Sequence, residues 1–129
     1  MFDRQTRRSV QVLGKDAVYS YEDSDLNFAW APDGRWLVTR TGFESTAEIE
    51  LLDATGQAPR RNISRSGFSD SHPVVSADGN VVLWASDRAA LRTADSNAAA
   101  LDVYAGFLTP EAYDAFRATP EERMRADQL

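Results

Sequence analysis

Short runs rich in aromatic and branched residues, separated by turn signals, recur along this chain, and in the first of them apolar and polar positions alternate with the two-residue period of β-strands. In the stretch Asn27 to Thr39, "NFAWAPDGRWLVT", two runs rich in aromatic and branched residues flank Pro32-Asp33-Gly34. An Asp-Gly pair supplies a residue able to take positive φ, and the flanks suit a pleated, half-buried surface, so the pattern predicts a β-hairpin. Further on, "PVVS" and "VVLWAS" flank Ala77-Asp78-Gly79, and the offset is 45 residues for both Asp33 to Asp78 and Gly34 to Gly79. The same offset carries Asp25 to Asp70, Leu37 to Val82 and Val38 to Leu83. Third strands are expected in "AEIELLD" and "LDVYAGFL", and "RRNIS" reads as an outer strand of the first unit.

A period of about 40 to 50 residues belongs to propeller blades or to helical arrays. Units that read strand, turn, strand, strand exclude the helical option. Phe2-Asp3 stands 50 residues before Leu52-Asp53, and Leu13 stands 50 before Ile63, so the chain is expected to begin inside a unit. The expected class is all-β: a partial β-propeller of about two full blades, near residues 20–65 and 66–108, plus part of a third within 1–108. A closed propeller needs at least four blades, more than 129 residues supply.

Residues 109–129 change character and predict two short helices. Thr109-Pro110-Glu111 and Thr119-Pro120-Glu121-Glu122 each combine an N-cap threonine, a proline at the first helical position and acidic residues near the positive end of the helix dipole. Thr119 and Glu122 have capping-box spacing. Tyr113 and Phe116, three apart, would face the preceding strand, whereas the second helix has only Met124 and Leu129 as large apolar groups and is expected to be exposed.

The aromatics read as packing groups. Phe28 and Trp30 alternate on one strand of the first hairpin and Trp36 and Val38 on the other, so one face of it is expected to be large and apolar. Phe28, Trp30, Trp36 and Trp84 are assigned to packing between blades, and Pro32, Asp33, Gly34, Asp78 and Gly79 to structural turns.

Composition narrows the function classes. A formal net charge of −6 argues against a dedicated nucleic-acid binder. The lack of cysteine excludes disulfides and thiol chemistry. No apolar run approaches the ~18 residues of a membrane span, and no membrane partner is expected. The compartment stays open between cytoplasm and periplasm, and no cofactor is expected.

Candidate chemistry is sparse. Ser69-Asp70-Ser71-His72 holds the only histidine, but four consecutive residues cannot set three side chains in one hydrogen-bonded row, so a turn is expected there. Glu22, Asp23 and Asp25 form an acidic cluster that lacks the calcium-loop pattern. Glu48 and Glu50 share a strand face and read as solvent-facing. Arg60, Arg61 and Arg65, with Arg4, Arg7 and Arg8 in the preceding unit, offer a basic stripe for a peptide carboxylate or other anion; the alternative is outer-strand charge that discourages edge pairing.

Trp30 to Arg35, Ser86-Asp87-Arg88, Asp102-Val103-Tyr104 and Asp53-Ala54-Thr55-Gly56 together resemble the propeller repeats of Tricorn-type peptidases and their TolB-like relatives, and "EAYDAF" followed by a Pro-Glu-Glu element is similar to the bacterial Tricorn-like branch. The second unit departs from that pattern, with Ala77 for the turn proline and Val75 for the tryptophan. Nothing in the chain matches the PDZ-like or serine peptidase modules of full-length members. The resemblance therefore implies a non-catalytic propeller segment of a serine peptidase, guiding or gating peptide substrates or supporting assembly, and not an enzyme by itself. The rival reading is a TolB-like binding module for a protein or glycan partner, with no peptidase. Either way, bare strand edges and an apolar outer face predict self-association of the isolated chain.

Overall fold

In the computed structural model, the described residues are 1–17, 27–43, 46–89 and 100–128. They form three small antiparallel sheets and two short C-terminal helices, and the sheets do not close into a ring. Strands β1 (Phe2–Asp3) and β2 (Arg8–Ser9) make an N-terminal hairpin. A four-stranded meander follows, formed by β3 (Phe28–Trp30), β4 (Trp36–Thr41), β5 (Glu48–Asp53) and β6 (Arg61–Asn62) in sequence order. A three-stranded meander holds β7 (Asp70–Val75), β8 (Val81–Ser86) and β9 (Asp102–Phe107).

The 45-residue offset carries into the hydrogen bonds. Gly34 N–H donates to the Ala31 carbonyl and Gly79 N–H to the Ser76 carbonyl, each at 2.9 Å. Ala31 N–H bonds the Trp36 carbonyl as Ser76 N–H bonds that of Val81, at 2.9 and 2.8 Å. Asp33 accepts from Arg35 N–H at 2.9 Å, and Asp78 from Asn80 N–H at 3.1 Å. Gly34 and Gly79 take φ of 68° and 76°, the left-handed region that glycine enters without a Cβ penalty. Strand β4 thus maps onto β8 residue for residue. The following strand keeps the same register, Trp36 opposite Asp53 and Val81 opposite Phe107, but only after a longer connection.

Cross-strand register corrects the expectation for the first hairpin. Trp30 lies opposite Leu37 and Phe28 opposite Thr39, so Phe28 and Trp30 share a face with Leu37, Thr39 and Leu52. Trp36 and Val38 occupy the other face with Ile49 and Leu51. That second face is buried: Val38, Ile49 and Leu51 form one core with Val82 and Trp84 of the next sheet, bordered by Trp36, Ile63, Val75 and Tyr104. Burial of this apolar area holds the two sheets together. They stack with corresponding ends together, for a Cβ built on Gly79 would stand 3.5 Å from Pro32 Cδ. Trp84 fits because Gly106 has no side chain; a Cβ there would come within 3.0 Å of its ring.

Two strand ends also differ from expectation. Polar Asp70 and Ser71 read as a turn, yet they pair with Ser86 and Ala85, and a bulge follows before Val74, where exposed His72 takes φ of 54°. The helices are α1 (Pro110–Arg117) and α2 (Pro120–Ala126), and both threonine N-caps and the Thr119–Glu122 capping box are formed. Tyr113 and Phe116 pack on Phe107, with ring centroids 5.4 and 5.1 Å apart, and α2 buries no residue.

Candidate functional site

On the face of the four-stranded sheet turned away from that core lies an open apolar cavity of about 420 Å³. Phe28, Trp30, Leu37, Thr39 and Leu52 form its floor. The N-terminal segment forms a wall through Met1, Val12 and Leu13. The same turn chemistry recurs at this wall: Asp3 accepts from Gln5 N–H at 2.8 Å, as Asp53, 50 residues on, accepts from Thr55 N–H at 3.0 Å. Val10 and Gln11 lie against the Asp53–Gly56 turn, where a Cβ on Gly56 would stand 3.1 Å from Val10.

The cavity has little polarity to offer. The Thr39 hydroxyl on its floor already donates to the Asn27 carbonyl at 2.9 Å. Beside it, Glu50 pairs with Arg60 at 3.4 Å. Phe28 and Trp30 remain 59% and 44% exposed at the cavity edge. A pocket of this size, lined by aromatic and aliphatic groups and open on one side, suits an apolar side chain far better than a polar metabolite.

The predicted site residues fall into distinct places. Arg60 and Arg61 point to opposite faces: Arg60 meets Glu50, and Arg61 lies 6.0 Å from the Trp36 ring centroid. Arg65 adopts φ of 42° and donates from Nε to the Asn62 carbonyl at 3.2 Å. The three arginines therefore build no common cradle for an anion. Trp36 and Trp84 lie at the packed interface between sheets, and Phe28 and Trp30 at the open cavity. The acidic cluster of Glu22, Asp23 and Asp25 lies outside the described residues. Among the described residues no group of three or more His, Asp or Glu side chains is gathered for a metal.

Ser69 to His72 form no catalytic row. The Asp70 carboxylate is fully buried, accepts from the Ser66 hydroxyl at 2.7 Å and lies 3.5 Å from the Arg88 guanidinium. His72 Nδ1 contacts the neighbouring Ser71 hydroxyl, at 3.0 Å. Arg88 in turn stacks 4.1 Å from the Tyr104 ring centroid and donates from Nε to Ser86 at 3.2 Å. The Ser86-Asp87-Arg88 step thus closes the start of β7, since Asp87 also accepts from Ser69 N–H at 3.0 Å.

Glu48, expected to face solvent, instead binds the chain itself. Its carboxylate accepts from the Ser64 hydroxyl, from Ser66 N–H at 2.9 Å and from Gly67 N–H at 2.6 Å, clasping the segment that links the two meanders. A small-polar run, Ser64-Arg-Ser-Gly67, is the sequence signal that could have pointed to it.

Three turn carboxylates are held below their ordinary 3.8. For Asp53 the causes are the backbone N–H and then the hydroxyl of Thr55, followed by Ala58 N–H; for Asp78, the Ser76 hydroxyl and then Asn80; for Asp3, the Thr6 hydroxyl and then Gln5 N–H. Each serves to lock a turn. Comparison of the chain with family models, with curated proteins and with solved structures finds no match.

Proposed function

We propose that this chain is a run of blades from an incomplete β-propeller, a non-catalytic segment of a Tricorn-like serine peptidase that holds extended peptide on its way to a peptidase site elsewhere. The observation that carries the propeller reading is the 45-residue repeat, kept in sequence, in hydrogen bonds and in β4-to-β8 register, with the two meanders stacked face to face. The open apolar cavity beside Phe28 and Trp30 supports the peptide-holding role, because it offers side-chain burial without a reactive group. The resemblance of the turn and strand-end motifs supports the peptidase context.

The test is binding without turnover. An unstructured peptide carrying Leu and Phe, titrated against the purified chain, is expected to change tryptophan emission saturably, with the response lost in Trp30→Ala, while mass spectrometry finds the peptide intact. Cleavage that disappears in Ser69→Ala or His72→Ala would overturn the non-catalytic reading. A flat titration would overturn peptide holding.

The poverty of hydrogen-bonding groups in the cavity favours a second reading, a TolB-like module that docks a folded protein partner through an apolar contact. The reading frame around this segment separates the two, with PDZ-like and serine peptidase motifs supporting the first and further blades alone supporting the second.

A further inference from the structure

The buried interface between the two meanders is made from two different faces, and each meander also carries the face that the other one uses. In the four-stranded sheet, Val38, Ile49 and Leu51 are 0%, 0% and 7% exposed against its neighbour. Their counterparts by register in the three-stranded sheet are Leu83, Val103 and Ala105. Leu83 and Val103 are 40% and 75% exposed, and neighbouring Val74 is 57% exposed. Conversely, Val75, Val82 and Trp84 pack into the interface, and their counterparts Trp30, Leu37 and Thr39 line the cavity, Trp30 exposed at its edge and Leu37 and Thr39 buried at its floor.

An interface of this kind is heterologous. Face one of a unit meets face two of the next. At one end of the pair, face one is open at Val74, Leu83 and Val103, with α1 packed on its Phe107 end. At the other, the N-terminal segment covers Leu37, Thr39 and Leu52 of face two and leaves Phe28 and Trp30 exposed. Contacts that join unlike faces repeat until the rotation between units closes a ring or runs on as a filament. We infer that a second copy of this chain docks its Leu83–Val103–Val74 face onto the exposed Phe28–Trp30 edge of the cavity in the first, giving a head-to-tail assembly that again joins unlike faces.

Chemistry at the two faces agrees with this occupant. Both are apolar at their centres, as the interface between the meanders is, and an unlike partner would have to reproduce the same strand-spaced rows of side chains. The N-terminal wall of the cavity leaves Phe28 and Trp30 open to receive it. Head-to-tail docking requires the stacked repeat but neither the peptidase context nor the peptide-holding role.

Complementary variants test it with the whole chain. Phe28→Glu closes one face and Leu83→Glu the other, both at exposed positions, and circular dichroism checks that each remains folded. Size exclusion with light scattering is expected to show the unaltered chain growing in mass with concentration and each variant alone as a monomer. An equimolar mixture of the two variants retains one intact pair of faces and is expected to run at twice the monomer mass. A mixture that stays monomeric, an unaltered chain that is monomeric throughout, or variants that associate like the unaltered chain would each overturn the proposal. If either variant unfolds, Val103→Glu and Trp30→Glu replace the pair and the same masses decide. Peptide titration of Leu83→Glu, whose cavity is intact, reports the peptide-holding role separately.

Discussion

Replacing Ile49 and Val103 by alanine asks one question at two copies of the same repeat position. Ile49 is fully buried between the meanders, whereas Val103, its counterpart, is 75% exposed. Truncating a buried isoleucine removes its transfer free energy and leaves a cavity, a loss of about 2–5 kcal/mol. With a urea dependence of about 1–3 kcal/mol per molar for a domain of this size, the Ile49→Ala midpoint should fall by roughly 1–2 M. The exposed valine has little burial to lose, and Val103→Ala should stay within about 0.5 kcal/mol. Urea unfolding followed by tryptophan emission, at protein concentrations low enough that the chain is monomeric, supplies both numbers. Equal losses at the two positions would refute the assignment of a covered and an open face, as would an Ile49→Ala midpoint within error of the unaltered chain.

Three further outcomes follow from named contacts. Gly106→Val drives a branched side chain into the Trp84 ring, which even a lone Cβ at this position would approach to 3.0 Å, and should cost about 1–3 kcal/mol in urea unfolding. Glu48→Ala removes the acceptor for Ser66 and Gly67 N–H; about 1–3 kcal/mol is expected, with faster tryptic cleavage after Arg65, read by limited proteolysis. Asp53 has its folded pKa lowered, first by Thr55 N–H, so its contribution is fully present above the unfolded value and is lost as pH falls through the folded one. The stability gap between the unaltered chain and Asp53→Asn should therefore be constant from about pH 5 to 7 and shrink below about pH 4, as measured by urea titrations across pH.

The hairpin turns are legible in the sequence because Asp-Gly chemistry is local: Asp33 and Asp78 bond their own turns, and glycine supplies the positive φ. Helix starts at Thr109 and Thr119 are legible for the same reason. What pattern alone misses depends on which partner each group pairs with, something that the periodicity of one strand does not specify. Alternation says which residues of one strand share a face, but the pairing of Ala31 N–H with the Trp36 carbonyl sets the register that sends Trp30 and Trp36 to opposite faces. Asp70 reads as a turn residue until Ser66 and Arg88 supply the hydrogen bond and charge that let its carboxylate be buried in a strand. The cavity is hidden likewise, since its wall comes from Met1, Val12 and Leu13 and its floor from residues that read as ordinary packing.

The central claim is that the two meanders are successive copies of one unit, stacked with unlike faces together. Methyl-resolved nuclear Overhauser spectra of the dilute chain test it most directly. Contacts from Val38 and Ile49 methyls to Val82 and the Trp84 ring, with Leu83 and Val103 touching only their own sheet, are the predicted result. Contacts from Leu83 or Val103 to Val38 and Ile49 within one chain would mean that the second sheet is turned over, and would contradict the account.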